Sequence, residues 1–144
     1  MINPYLDAIY CDDIRHETNG KLTLIGVYSG SMVASELPIT LPKLCIVAKV
    51  VSPLKDEFDV LKVEIRVDDD TIQEFTIKKE DIKKAKSTAP IDDSATLQVH
   101  NIMLSINSLT LDKACKISTR AFIDDLELES PQLKVTEEEH QTSH

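Results

Sequence analysis

The chain has 144 residues, formal net charge −9, 42% hydrophobic and 4% aromatic residues, and no Trp. That length and composition fit a single soluble domain with an aliphatic core of Ile, Leu and Val. An acidic field repels nucleic-acid phosphate and anionic lipid, so direct binding to either would need a local basic patch, and so few aromatic rings argue against a base-stacking platform.

Tyr5–Asp13 reads as a first strand, apolar on both faces through Ala8-Ile9-Tyr10-Cys11. Asn19-Gly20 is the strongest short hairpin signal, since both residues tolerate the positive φ of a type I′ turn. Lys21–Tyr28 is the return strand, and Gly26 inside it predicts a bulge or a close backbone approach. Met32–Ala34 suits a short edge piece. Prolines 38 and 42 predict that Glu36–Pro42 crosses the body outside any ladder.

Lys43–Val51, rich in β-branched residues, predicts a central strand. Phe58–Val67 alternates, with Leu61, Val63, Ile65 and Val67 inward. The triplet 68–70 predicts a turn, and Thr71–Ile77 returns with Ile72 and Phe75 out of phase. Lys79–Lys86 is the one helical segment, acidic early and basic late, as the helix dipole favours. Ala95–Asn101 predicts a strand with Leu97 and Val99 inward, followed by a phase break near Asn101. Ala114–Asp124 places Cys115, Ile117, Thr119, Ala121 and Ile123 on one face, and Leu126–Val135 closes the body with an edge or bend at Pro131. The expected fold is an all-β, single-domain antiparallel sandwich, Ig-like or C2-like, of about eight strands with one short helix. It spans 1–135, with a disordered acidic tail over 136–144.

Cys11, Cys45 and Cys115 are odd in number, lack CxxC spacing and lie in apolar runs. They read as reduced thiols of a cytoplasmic protein. No basic-then-apolar leader opens the chain, and no apolar run approaches the ~18 residues of a membrane span.

The densest reactive cluster is Cys11, Asp12, Asp13, Arg15, His16 and Glu17. A Cys11–His16 nucleophile pair lacks a readable orienting group and oxyanion pocket. An Asp12–Arg15 ion pair is the simplest structural reading. Asp12, Asp13, Arg15, His16 and Glu17 are the candidate binding residues, with no catalytic residue, no metal site and no cofactor expected. The acidic pairs at turns lack the glycine and distal Glu of a calcium loop, and Asp favours turns for its own hydrogen bonds.

The run Cys11-Asp12-Asp13-Ile14-Arg15, with Gly20-Lys21, Leu24–Tyr28 and Leu41-Pro42-Lys43-Leu44, resembles a family of small bacterial and prophage-associated proteins of unknown function. The resemblance implies a β-sandwich and brings no reaction or cofactor. The expected function is therefore a non-enzymatic protein–protein interaction module, such as a phage-related host-factor binder or inhibitor. Its contacts would lie at an open sheet edge near Leu37–Pro42 and at the Asp12–Glu17 turn face. The alternatives are a small-ligand or divalent-metal module using Asp12–Glu17, and a structural assembly subunit.

Overall fold

The structure is a computed structural model that describes residues 3–81 and 96–139. In chain order the strands are β1 (Tyr5–His16), β2 (Leu22–Val27), β3 (Ser31–Ala34), β4 (Ile39–Pro53), β5 (Val60–Val67), β6 (Asp70–Lys78), β7 (Leu97–Leu111), β8 (Cys115–Ile123), β9 (Leu126–Glu129) and β10 (Leu133–Glu137). They form two sheets. One runs β2-β1-β4-β7; the other runs β3-β10-β8-β5-β6, with β9 also on β8. The all-β, single-domain expectation holds, but the pairing is not antiparallel throughout: the short β3 runs parallel to β10. The strands outnumber the expected eight because the chain after Leu126 divides at Ser130–Gln132 and the short β3 joins β10.

Aliphatic side chains fill the space between the sheets. Leu44, Ile46 and Val50 of β4 meet Leu61, Val63 and Ile65 of β5 and Ile117 of β8, all fully buried. A polar link crosses this layer, the buried Tyr10 hydroxyl bonded to Thr119 Oγ1 at 2.8 Å. Burial pushes the Tyr10 pKa up, so the neutral phenol is the form the core holds.

The alternation read for β5 and β8 is present. The β6 phase problem resolves as a register shift between Ile65 and Arg66, which skips Ile72. The Asn19-Gly20 turn exists with both φ positive, at 67° and 74°. The loop is one residue longer than a type I′ turn, because Glu17 N bonds Lys21 O and Thr18 joins a single 3-10 turn.

Three expectations are corrected. Ile39–Pro42 is not a crossing segment; it opens β4, and Leu41 pairs with Leu109. Over residues 39–43 β4 pairs with β7 but not with β1, an edge-like setting in which Pro42 is tolerated. Leu97 and Val99 are not both inward: Val99 is 48% exposed, while Gln98 is buried with its amide donating to the Pro53 and Asp56 carbonyls. Finally, the phase break lies at Ser108 (φ 56°), not near Asn101. Ser108 stands opposite Pro42, and both strands change face together there. Leu41 and Leu109 thus enter the same core as Leu44 and Leu104.

Of the expected Lys79–Lys86 helix, residues 79–81 are helical and the rest lies outside the described residues. At the C-terminal end, β10 runs to Glu137 and Glu138 N bonds Ala34 O.

Gly26 has φ 67°, and a Cβ there would overlap the Asp12 carboxylate. Gly20 has φ 74° but open space around it. Gly20→Ala therefore carries only the left-handed backbone cost of about 1–2 kcal/mol. Gly26→Ala carries that cost and must also displace Asp12. Urea denaturation should show the larger loss for Gly26→Ala; equal losses would contradict the packing described.

Candidate functional site

β1 is continuous from Tyr5 to His16, so successive side chains point to opposite faces. This divides the reactive cluster. Asp12 and His16 lie on the core side, beyond the packed layer. Cys11, Asp13, Arg15 and Glu17 lie on the outer face of the four-stranded sheet.

On the core side, Asp12 Oδ1 accepts from the Tyr28 hydroxyl at 2.8 Å and its carboxylate lies over Gly26. Burial and then the bond to Asp12 push the Tyr28 pKa up to about 12. On the outer side, Asp13 Oδ1 meets Lys43 Nζ at 2.7 Å. The hydrogen bond from Lys43 holds the Asp13 pKa low and raises that of Lys43. Arg15 turns to Glu17 at 2.9 Å rather than to Asp12, which corrects the expected ion pair; Arg15 is 70% exposed, so the contact adds little stability.

Cys11 and His16 point to opposite faces and cannot act as nucleophile and base. Burial, then the neighbouring Cys45 and Asp12, raises the Cys11 thiol, the opposite of what activates a cysteine. His100 packs edge-on against Phe58, ring centroids 5.5 Å apart. Among the described residues no three His, Cys, Asp or Glu side chains gather as a metal would require. The turn acids serve the backbone: Asp68 Oδ1 accepts from Lys116 N, and Asp124 from Asp59 N and Val60 N. Asp92 and Asp93 lie outside the described residues.

The larger feature is the outer face of the β2-β1-β4-β7 sheet, which sequence reasoning missed. Cross-strand register builds it row by row. Val27, Cys11, Cys45 and Ser105 form one row; Ile9, Val47 and Met103 the next; Tyr5, Val51 and Val99 a third. Val27 is 53%, Ile25 47% and Met103 41% exposed, on a face that a solvated sheet would fill with polar residues. Two charged rows bracket the apolar centre: Asp7 opposite Lys49, and Asp13 bonded to Lys43. Both acids are on β1 and both lysines on β4. Exposed Ile25 and Val27 on β2 and Met103 on β7 thus flank a strip of β1 and β4 in which Cys11, Cys45 and Val47 are buried; exposed apolar side chains grouped inside a polar rim mark a contact surface.

The outer face of the other sheet carries a charged centre on β5, with Lys62 Nζ 4.9 Å from the Phe122 ring centroid and Val33 exposed on the edge strand β3. Glu64 is buried there between Lys62 at 3.0 Å and Arg66 at 2.7 Å. Desolvation pushes its pKa up, but the hydrogen bonds and charges of Lys62 and Arg66 outweigh this, and the net shift is downward. An open groove of about 550 Å³ beside this network is lined by Lys116, Arg120, Lys134 and Asp68.

Residues 6–136 match a family model described as a family of unknown function (DUF6941). The chain belongs to that family. No curated protein matches it. Within this DUF6941 chain the family match covers both sheets except Tyr5 at the start of β1 and Glu137 at the end of β10. No helix among the described residues is long and apolar enough to cross a membrane.

Two titrations test these contacts. The neutral Tyr28 hydroxyl is the form that Asp12 binds. Its contribution to stability is therefore full below pH 10.0 and is lost as pH rises toward about 12. Asp12→Asn should lower the Tyr28 midpoint in a ring-resonance titration; an unmoved midpoint would rule out the bond. Glu64 has a lowered pKa, so its contribution is present above the ordinary glutamate range and disappears as pH falls through the folded value. Glu64→Gln should flatten the acid limb of the stability–pH curve and cost about 1.5 kcal/mol at neutral pH, the low end for charged hydrogen bonds because the freed cations regain water. An acid limb as steep as wild type would contradict this assignment.

Proposed function

We propose that this chain is a non-enzymatic protein–protein contact module. The observation that carries the reading is the outer face of the β2-β1-β4-β7 sheet, where Ile25, Val27 and Met103 stand exposed around buried Cys11, Cys45 and Val47. Leaving such a surface in water forgoes roughly 25 cal/mol for each Å² of apolar area that a partner could cover. The side chains that a chemical reading would need are divided between two faces of β1, and their polar atoms serve Tyr28, Lys43 and the β1–β2 hairpin.

The resemblance of Cys11–Arg15 and Leu41–Leu44 to bacterial and prophage-associated proteins supports a finer reading, contact with a host factor in the cytoplasm. Three free, buried cysteines suit that reducing compartment. The strip of Asp13, Arg15 and Glu17 continues the apolar face toward the hairpin and supplies its charged rim.

Affinity capture from bacterial lysate with quantitative mass spectrometry tests the reading. Val27→Asp with Met103→Asp changes two exposed positions, whose effect on folding should stay within about 0.5 kcal/mol each. Proteins recovered with the wild type should fall at least tenfold with the double variant. An unchanged set of recovered proteins would overturn the assignment of this face.

A further inference from the structure

The charge pattern on this face selects a partner of definite chemistry. We infer that a second copy of this chain packs on the outer face of the β2-β1-β4-β7 sheet, about a twofold axis that runs parallel to the strands between β1 and β4. The inference rests on the contact-face reading above and names its occupant.

The register supplies the argument. Reading outward along the β1–β4 pair, the rows on this face are Asp7/Lys49, Ile9/Val47, Cys11/Cys45 and Asp13/Lys43. A twofold parallel to the strands lays β1 of each copy over β4 of the other and keeps each row at its own level. Asp7 then faces Lys49 of the partner subunit, and Asp13 faces Lys43 of the partner subunit. The central rows meet apolar to apolar, and Val27 covers the partner's Ser105 beside Cys45. The other in-plane twofold, across the strands, sets Asp over Asp and Lys over Lys. The sequence therefore distinguishes two geometries that hydrophobic burial alone would leave equal. Self-complementarity of this kind is what an isologous interface requires.

The contact is small. β2 pairs with β1 only from Cys11 to His16, so the Asp7 and Ile9 rows are three strands wide, and Cys11, Cys45 and Val47 are already buried in the single chain. Such an interface belongs with the weak, transient class rather than the standard one. Sheets stacked face to face sit about 10 Å apart and keep their strands within about 30°, compatible with this axis. The charged rows lie at the rim, so they set orientation more than affinity and weaken with salt.

Within one copy the same residues form cross-strand pairs, and that structural role alone would also favour opposite charges. Four variants separate the two roles by sedimentation equilibrium. The first, Asp7→Lys with Asp13→Lys, carries four lysines; the second, Lys43→Asp with Lys49→Asp, carries four aspartates. The third exchanges all four residues and restores every intrachain pair. The fourth, Val27→Asp, removes apolar contact at an exposed position.

Wild type should be a dimer. The all-lysine and all-aspartate chains should each be monomeric, dissociating at least tenfold more readily than wild type, and should form a one-to-one heterodimer when mixed. The fully exchanged chain should dimerise like wild type. Val27→Asp should weaken the dimer at least tenfold while its circular dichroism stays native. A monomeric wild type at high micromolar concentration would overturn the inference yet leave the contact-face reading to the capture experiment. A dimer unaffected by all four changes would overturn the placement of the interface on this face.

Discussion

The alternation of side chains along the paired strands β1 and β4 is the constraint on which the rest depends. One set of residues, Leu6 and Tyr10 with Leu44, Ile46 and Val50, goes inward and joins the core. Because the period is two, the intervening residues are committed to the opposite face with no freedom to rearrange. Those residues are Asp7, Ile9, Cys11 and Asp13 on one strand and Lys43, Cys45, Val47 and Lys49 on the other. A fold that needs the first set buried therefore fixes the second set on the opposite face, an apolar strip bracketed by charged rows.

The inner layer holds that surface rigid. Fully buried aliphatic side chains from both sheets interlock, and the Tyr10–Thr119 bond adds a polar tie between them. The long β4–β7 pair stays in a single register through Pro42 and Ser108 even though both strands change face there. The result places Met103 and Val99 outward beside Val47 and Val51, extending the apolar rows across a third strand.

Much of the fold was legible because one-sided burial writes itself into local sequence. Leu61, Val63 and Ile65, and Cys115 to Ile123, alternate cleanly and were read with the right phase. β7 was misread because hydrophobicity alone puts Val99 inward, whereas Gln98 takes the buried place by satisfying two carbonyls more than forty residues away. The switch at Pro42 and Ser108 involves residues far apart in sequence, so neither strand announces it alone. The reactive cluster was grouped by proximity along the chain, although its own period-two spacing separates Asp12 from Asp13. The apolar face was invisible for a related reason: Ile25, Val47 and Met103 become neighbours only once three strands are in register.

The most direct measurement is methyl-resonance NMR of the wild-type chain as a function of its own concentration. The account predicts concentration-dependent shifts and broadening at Ile9, Ile25, Val27, Val47 and Met103, with Ile65 and Ile117 of the core unmoved. Shifts confined to the edge strands β3 and β6, or none at any methyl over the range in which the chain associates, would contradict it.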